Sequence, residues 1–367
     1  MRVAGIMSGT SLDGVDVAVV DIARGRVNTV AHYTAGYSKD LRARILAVSD
    51  AACHTRDISR LNFELGGVYA RVLADCCRKS DVREESLELI GCHGQTIYHE
   101  GQGRRANTMQ IGEASVLAER FGIPVVSDFR TRDMAAGGKG APLVPFADVL
   151  LFHSARRNRI ALNLGGIANF SVLPRALAGG AAVAFDTGPG NMVMDQLVAH
   201  ATNGRAAFDR AGGWAAQGTP NRDLLDKLLR APWFRRKPPK TAGREQYGKA
   251  FIADLLATGL PVEDLLATAN VFTAASIAQA ILDFAPQTEE IIAAGGGVHN
   301  PLLMGNLAAQ VPGCRITTTA EFGIDPDAKE AVAFALLAYR TVLRKPGNLP
   351  SATGARHPVV LGKLTVE

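Results

Sequence analysis

The sequence predicts a mixed α/β protein of two domains, on three observations. The chain has 367 residues, which is longer than a single hydrophobic core usually grows. Its 47% apolar and 20% charged residues and its 38 glycines are typical of a globular α/β protein and not of a disordered, fibrous or membrane one. A strand-turn-strand pattern opens the chain at residues 3–22 and recurs at residues 160–173, so we expect two related domains with a ligand cleft where they meet.

Periodicity predicts the elements of the first half. Alternating or continuous apolar residues predict strands, and apolar residues three and four apart predict helices. The predicted strands span residues 3–7, 15–22, 87–91 and 123–127, and the predicted helices span residues 41–51, 58–78 and 113–121. The glycine-rich segment 137–142 is expected to link the two domains.

The second half repeats the pattern and adds longer helices. Strands are predicted at residues 160–164, 167–173, 182–185 and 290–294, and helices at residues 191–201, 221–229, 249–258, 268–284 and 329–343. The domains are therefore expected to span residues 1–145 and 146–325, with residues 326–367 forming a helix and tail that return to the first domain.

Charge excludes one class of function. The chain has 40 Lys and Arg against 35 Asp and Glu, a net charge of +5. This charge can attract an anionic substrate, but it is too small to indicate a nucleic-acid-binding surface. The densest basic run, Arg235 to Lys240, has no interleaved aromatic residues, and we interpret it as a solvated loop. We expect no nucleic-acid partner.

Cysteine usage and hydropathy predict a cytoplasmic protein. The five cysteines form no C-x-x-C pair, which indicates neither a disulfide framework nor a structural zinc site and suits a reducing compartment. The histidines lack zinc-ligand spacing. We find no signal-peptide core and no apolar stretch near the roughly 20 residues of a spanning helix, so no membrane association is expected.

A polar, glycine-bearing turn follows the first predicted strand. Glycines let backbone N–H groups approach phosphate oxygens, hydroxyls add donors, and a carboxylate among them calls for a divalent cation, which makes Asp13 a candidate magnesium ligand. The alternative is an ordinary hairpin, because Asp-Gly is a good turn by itself. The candidate phosphate-binding residues are Gly9, Thr10, Ser11, Leu12, Asp13, Gly14, Val15 and Asp16.

Three more polar turns follow predicted strands, where open α/β sheets place their ligands. Gly165 and Gly166 are candidates for a second phosphate contact, and Gly295, Gly296, Gly297 and Asn300 for the nucleoside. Asp186 stands at the end of a strand just before a helix. It is the best-placed general base for a hydroxyl that attacks ATP, and a helix cap or a magnesium ligand are the alternatives.

One segment resembles a nucleotide-binding loop by spacing alone. Residues 243–250 have the glycine spacing of a P-loop but end in Ala250, where a magnesium-binding hydroxyl is required, and no strand precedes them. We therefore do not expect a Walker-type site.

Several further blocks stand in a fixed order along the chain. They are residues 5–16, 92–96, 127–130 with Asp133, 140–145, 163–169, 185–191, 243–245 and 295–300. Together these blocks resemble the anhydro-N-acetylmuramic acid kinase family, over nearly the whole chain. The chain departs from the family pattern at Lys139 and at Thr241–Ala242.

The resemblance implies two ribonuclease-H-like lobes of the actin-like ATPase fold around a central cleft, and a homodimer. It implies an enzyme that uses ATP and Mg²⁺ to open 1,6-anhydro-N-acetylmuramic acid with water and to phosphorylate O6, in cell-wall recycling. Asp186 would activate the water. The residues implied for the sugar pocket are His93, Gln95, Thr96, Arg130, Asp133 and Glu330.

Two other functions stay open for this fold. One is an actin-like or chaperone-like ATPase whose nucleotide state drives assembly, and the other is a conventional hexose kinase. Fold alone does not separate them. The polar residues of segments 93–96 and 128–145 favour a sugar pocket over a filament protein.

Overall fold

The computed structural model describes residues 1–9, 12, 14–176 and 182–366. Within these residues the chain divides into two compact units. Unit 1 contains residues 1–151 and 323–366, and unit 2 contains residues 152–176 and 182–322, as far as each is described. Both ends of the chain thus belong to unit 1.

The strands of the described residues are short to medium in length. In chain order they are β1 (Arg2–Ser8), β2 (Gly14–Ala23), β3 (Arg26–Gly36), β4 (Leu89–Glu100), β5 (Asn107–Ile111), β6 (Val125–Ser127), β7 (Arg159–Leu164), β8 (Ile167–Leu173), β9 (Val183–Pro189), β10 (Glu290–Ala294), β11 (Arg315–Thr318) and β12 (Lys363–Thr365).

The α-helices of the described residues range from one turn to seven. In chain order they are α1 (Lys39–Val48), α2 (Thr55–Lys79), α3 (Ala114–Phe121), α4 (Phe129–Ala135), α5 (Val144–Phe152), α6 (Met192–Ala201), α7 (Arg222–Leu229), α8 (Arg244–Tyr247), α9 (Lys249–Leu256), α10 (Val262–Phe284), α11 (Pro301–Gln310), α12 (Lys329–Val342) and α13 (Pro350–Thr353).

Local chemistry explains several helix boundaries. The side chains of Ser38 and Asn221 accept the backbone N–H groups of Leu41 and Leu224 and so cap α1 and α7. Helix α3 ends at Gly122, whose φ of 62° is a left-handed C-cap.

The sheet of unit 1 has a mixed strand order. Its path runs β12-β6-β4-β1-β2-β3, and β5 pairs with β4 beside this path. The pairs β1–β2 and β2–β3 are antiparallel, while β1–β4 and β4–β6 are parallel. The carboxyl ends of β1, β4 and β6 therefore lie at one edge of the sheet.

The sheet of unit 2 repeats this arrangement. Its order is β11-β10-β7-β8-β9, with β7–β8 and β8–β9 antiparallel and β7–β10 and β10–β11 parallel. An antiparallel three-stranded meander extended by two parallel strands thus occurs in both units. The predicted fold class, α/β with two ribonuclease-H-like units, is confirmed by this match.

Helix α12 lies close against the sheet of unit 1. A Cβ at Gly5 would lie 1.9 Å from the carbonyl oxygen of Ala331, and a Cβ at Gly91 would lie 2.4 Å from that of Phe334. Only glycine permits so close an approach of helix to strand. The packing brings the N-terminal end of α12 toward the carboxyl end of β1.

Several predicted boundaries are wrong. The strand predicted at residues 87–91 is longer in the structure, because β4 spans Leu89–Glu100 and includes residues 92–96. Strands β3, β5, β11 and β12 and helices α4, α5, α8, α11 and α13 were not predicted. The missed strands are mostly exposed or irregular in burial, so they lack the alternation on which the prediction depended.

One expectation about hydropathy is also wrong. Helix α10 has 23 residues, and the mean hydropathy of its most apolar window is 1.6, so by length and composition it could cross a membrane. In the structure 78% of its most apolar window is buried inside the protein. Its apolar residues, among them Phe272 and Ile277, belong to the core of unit 2.

Candidate functional site

The first polar turn connects β1 to β2 at the carboxyl edge of the sheet in unit 1. Gly9 accepts a hydrogen bond on its carbonyl from the backbone N–H of Leu12, at 3.2 Å. Leu12 is 4% exposed, and Val15 is fully buried, so these two could reach a ligand only through their backbone. The predicted phosphate residues Thr10 and Ser11, and the predicted metal ligand Asp13, lie outside the described residues.

The predicted residues at the other end of this loop are in β2. A Cβ at Gly14 would lie 2.1 Å from the carbonyl oxygen of Ala35 on the neighbouring strand. The Asp16 carboxylate accepts a hydrogen bond from the hydroxyl of Thr34 at 2.6 Å. Gly14 is therefore required by close packing, whether or not it also faces a phosphate.

A bulge in β4 shapes the middle of the site. Ile6 of β1 is paired with Cys92, but Ser8 is paired with Gln95, so β4 has one extra residue at this point. Gly94 has a φ of 76°, a left-handed conformation that favours glycine. Bulges re-aim side chains, and this one turns the Gln95 side chain toward Ser8.

His93 and Arg130 form a buried pair beside the bulge. The imidazole Nδ1 lies 2.7 Å from the carbonyl of Gly94, and a carbonyl only accepts, so Nδ1 carries the proton. The other nitrogen, Nε2, accepts the Nε and Nη2 groups of Arg130 at 3.1 and 2.9 Å. Burial and the guanidinium lower the pKa of His93 to about 3, so the ring is neutral at physiological pH.

Arg130 has no carboxylate as an ion-pair partner in the described part of the chain. Its Nη1 donates to the carbonyl of Gly140 at 2.8 Å, and its remaining bonds go to neutral His93. Burial lowers the pKa of the guanidinium to about 10, against a longer-range effect of Glu330 and Asp133 that raises it. A buried cation without a charged partner is costly unless a ligand supplies the anion.

Glu330 lies in the first turn of α12, close enough to interact with Arg130 and Asp16. Burial raises its pKa, as does the charge of Asp16, while Lys329 and Arg130 lower it. The neighbouring Lys329 pairs instead with Asp148 at 2.9 Å, and both side chains of that pair are at most 4% exposed. The structure thus brings Glu330, Arg130 and His93 together.

Asp133 is bound entirely by protein donors. It is 0% exposed, and its oxygens accept hydrogen bonds from Asn348 at 2.6 Å, Thr353 at 2.7 Å and the backbone N–H of Gly140 at 2.9 Å. In this conformation it supports the segment whose carbonyl binds Arg130.

Thr96, the remaining predicted sugar residue, is on β4 beyond the bulge. Its hydroxyl accepts a hydrogen bond from the side-chain amide of Gln110 on β5, at 3.2 Å. Strand β5 thus contributes to this part of unit 1, which the sequence did not indicate.

In unit 2 the second and fourth polar turns lie next to each other. The backbone N–H of Gly190 donates to Gly166 at 2.9 Å, and that of Asn191 donates to Gly165 at 2.8 Å. The Asn191 side chain donates to the carbonyl of Leu164 at 3.1 Å, and a Cβ at Gly297 would lie 2.6 Å from the Leu164 side chain. The predicted glycines Gly165, Gly166, Gly295, Gly296 and Gly297 therefore belong to one cluster of turns.

Asn300 has a structural use that the sequence did not predict. Its Oδ1 accepts the backbone N–H of Leu303 at 3.1 Å and caps α11. A Cβ at Gly212 would lie 2.5 Å from this oxygen.

Asp186 is the central residue of β9, which continues to Pro189, so the prediction that it stands at the end of a strand is wrong. A segment outside the sheet orients its carboxyl group. Its backbone N–H donates to the carbonyl of Lys240 at 3.1 Å, and its Oδ2 accepts the backbone N–H of Ala242 at 2.8 Å. Burial raises the pKa of the carboxyl to about 6, the Ala242 bond lowers it, and the charge of Glu245 raises it further. A carboxylate with a pKa near 6 is suited to general-base catalysis near neutral pH.

One residue of the basic run, Lys240, is buried, although the sequence predicts that the whole run is a solvated loop. Arg235, Arg236 and Lys237 are exposed, as expected of a solvated loop, but Lys240 is 6% exposed. Its ammonium donates to the carbonyl of Phe234 at 2.9 Å and lies 4.5 Å from the centroid of the Trp233 ring. Burial lowers its pKa. The prediction is wrong for Lys240, which anchors the segment that holds Asp186.

The described residues contain no group of three or more His, Cys, Asp or Glu that could hold a metal ion. A magnesium ion bound to a nucleotide needs fewer protein ligands than that. Phosphate oxygens and waters supply most of its ligands, and the protein supplies one or two carboxylates. Asp16, on β2 directly after the first turn, is a described carboxylate of the right kind.

Comparison with known proteins gives one consistent result. The family model for anhydro-N-acetylmuramic acid kinase matches residues 1–367. The anhydro-N-acetylmuramic acid kinase of Caldanaerobacter subterraneus subsp. tengcongensis is 40% identical over 382 residues, covering 99% of this chain and 96% of that protein. That of Photobacterium profundum is 39% identical over 373 residues, covering 99% and 98%. The solved structure of (R)-2-hydroxyglutaryl-CoA dehydratase component A from Acidaminococcus fermentans is similar with a TM-score of 0.49 and 12% identity, covering 94% and 99%.

Proposed function

The chain belongs to the anhydro-N-acetylmuramic acid kinase family, and we propose that it converts 1,6-anhydro-N-acetylmuramic acid, ATP and water into N-acetylmuramic acid 6-phosphate and ADP. The single observation that supports this best is Asp186, a carboxylate oriented by the N–H of Ala242 and with a pKa raised to about 6. A base that is ionised at neutral pH and only weakly solvated is what activation of a water requires.

In this proposal Asp186 accepts a proton from a water molecule whose oxygen attacks the anomeric carbon. The bond from C1 to O6 breaks, and its electron pair stays on O6. That oxygen attacks the γ-phosphorus, and the bond from phosphorus to the ADP oxygen breaks. The water's other proton stays on the new C1 hydroxyl, so the step needs no further reactant.

The unpaired guanidinium of Arg130 supports binding of an anionic sugar. Muramic acid carries a lactyl carboxylate, and we assign Arg130 to it, because a bidentate guanidinium matches a planar carboxylate. Neutral His93 orients the guanidinium through Nε2. Glu330 is assigned to the sugar's hydroxyl or amide groups.

The resemblance also assigns Gln95, Thr96 and Asp133 to the sugar side. For Asp133 we propose an indirect part, through its bond to the N–H of Gly140, whose carbonyl accepts Arg130.

We propose that the glycine turns bind ATP. In unit 1, the turn from Gly9 to Asp16 would contact phosphates through backbone N–H groups, and in unit 2, Gly165 and Gly166 would make contacts of the same kind. Gly295, Gly296, Gly297 and Asn300 would lie against the ribose and base. Support comes from the packing of Gly297 against Leu164 beside Gly165, which allows one nucleotide to contact both turns of unit 2.

Magnesium is proposed as the partner of the ATP phosphates, with Asp13 or Asp16 as the protein carboxylate. When bound, it would neutralise charge on the β- and γ-phosphates.

A homodimer is proposed from the family resemblance, and light scattering tests it. A cytoplasmic location is supported by five free cysteines. We propose no nucleic-acid or membrane partner.

Mass spectrometry of the sugar product tests the proposal. The protein is incubated with ATP, magnesium and 1,6-anhydro-N-acetylmuramic acid, and the expected product is heavier by one phosphoryl group (HPO₃) and one water. Addition of the phosphoryl group alone would indicate a conventional sugar kinase. ATP hydrolysis that is equal with and without the sugar would indicate an ATPase of the same fold.

A further inference from the structure

Gln95 is a fully buried amide whose hydrogen-bonding groups all meet protein atoms. It is 0% exposed, and Ser8 is 1% exposed. Its Oε1 accepts the Ser8 hydroxyl, and its Nε2 donates to the carbonyls of Gly9 and Thr96, each at 3.2 Å. The opposite amide orientation would set Oε1 against two carbonyl oxygens, which only accept. The geometry therefore permits one orientation of the amide.

Tyr37, directly after β3, completes a chain of hydrogen bonds. Its hydroxyl lies 2.6 Å from the Ser8 hydroxyl. Ser8 has a single proton and donates it to Gln95, so Tyr37 must donate to Ser8. Burial raises the pKa of Tyr37, so its proton is present throughout the physiological range. The order of donation is thus Tyr37 to Ser8, Ser8 to Gln95, and Gln95 to Gly9.

We propose that Tyr37 and Gln95 are positioning residues for ATP, because this chain of bonds holds the peptide carbonyl of Gly9 at the start of the phosphate loop. The same carbonyl accepts the N–H of Leu12, so both ends of the short loop are tied to one atom that Gln95 holds in place. The inference rests on the proposed function, in which this loop binds phosphates, and it moves Gln95 from the sugar side to the ATP side.

The bulge at Gly94 is what makes this arrangement possible. With regular pairing, Ser8 would face Gly94, which has no side chain to accept its proton. The extra residue puts Gln95 opposite Ser8. Hydrogen bonds that fix the Gly9 carbonyl before a ligand arrives lower the entropic cost of binding.

The test removes only the Tyr37 hydroxyl. Tyr37→Phe should weaken equilibrium binding of a non-hydrolysable ATP analogue and raise the KM for ATP by about threefold to tenfold, the usual effect of one hydrogen bond. The KM for the anhydro sugar should stay within twofold. Tyr33→Phe is the matched control, because Tyr33 is on β3 four residues before Tyr37 and its ring packs under Lys79. Neither constant should change in this variant.

Gln95→Leu distinguishes the two assignments of this residue. A larger rise in the KM for ATP than in the KM for the sugar supports the inference, and the reverse overturns it. If Gln95→Leu does not fold, Tyr37→Phe alone decides, and unchanged ATP binding in that variant refutes the proposal. A wild-type protein without sugar kinase activity but with ATP-analogue binding weakened by Tyr37→Phe would refute the proposed reaction and leave the positioning intact.

Discussion

At the scale of single residues, the environment of Asp186 decides its chemistry. Its Oδ2 is held by the N–H of Ala242, 56 positions later in the chain. That bond and the burial of the carboxyl act on its pKa in opposite directions, and burial is the larger effect. The result is an oriented carboxylate that is a stronger base than one in water.

Replacing the Asp186 carboxylate should remove the base and leave ATP binding intact. We expect Asp186→Asn to lower kcat by roughly 10²–10⁴-fold, the usual contribution of a positioned base. Asp254→Asn, an exposed change in α9, is the control and should leave kcat unchanged. Steady-state kinetics and titration with an ATP analogue measure the two quantities, and wild-type turnover by Asp186→Asn would exclude Asp186 from the mechanism.

The pH dependence of kcat/KM should reflect the same group. Because the base must be ionised and its pKa is about 6, kcat/KM should fall as the pH drops through that value. Glu245→Gln removes a negative charge that raises this pKa, so the acid limb should move to lower pH. If the acid limb of the kcat/KM profile of Glu245→Gln moves to higher pH or stays in place, this assignment is contradicted.

At the scale of elements, close contacts between backbones determine where glycine is needed. Helix α2 contains two adjacent glycines in different surroundings. A Cβ at Gly66 would lie 2.8 Å from the carbonyl oxygen of Glu113 at the start of α3, whereas a Cβ at Gly67 would meet nothing within 4 Å. Of these two glycines, only Gly66 is in close contact with the start of α3.

These two glycines should respond to alanine with opposite signs. Gly66→Ala should lower the free energy of unfolding by about 1–3 kcal/mol, because α3 must shift. Gly67→Ala should raise it by about 0.5–1 kcal/mol, because alanine is the better helix former. Urea unfolding of both variants measures the two changes, and equal effects would show that the α2–α3 contact is not tight.

At the scale of the whole molecule, unit 1 is built from the two ends of the chain. Helix α12 and strand β12 come from the last 45 residues of the sequence and pack on strands from the first 127. The buried pair of Lys329 and Asp148 links α12 to α5, another element of unit 1. The core of unit 1 therefore contains contacts between residues far apart in the sequence.

Removing one partner of this pair should lower the free energy of unfolding more than replacing both partners with apolar residues. Lys329→Met leaves the Asp148 carboxylate buried without its ammonium partner and should cost about 3–5 kcal/mol in the free energy of unfolding. The double variant Lys329→Met, Asp148→Leu should recover part of that loss, because no charge is left buried. Chemical denaturation of the single and double variants tests this, and strictly additive effects would show that the two charges do not interact.

Much of this architecture could be predicted from local pattern. Apolar periodicity predicted β1, β2, β7, β8, β10, α2 and α12 within a few residues, because buried faces impose a fixed spacing on the sequence. The glycine turns, the fold class and the family were also predicted from ordered motifs, and the fold class and family are confirmed. The roles of the individual site residues stay predictions.

By itself, the sequence determined where many of the strands and helices lie, where the glycine turns are, and the family. Only the tertiary structure decided that Gln95 faces Ser8 across a bulge, that Ala242 orients Asp186, and that Arg130 is bound by neutral His93. The physical reason is that secondary structure follows from the spacing of side chains along one segment. These contacts join residues up to 87 positions apart, and their geometry follows from packing, which local spacing does not encode.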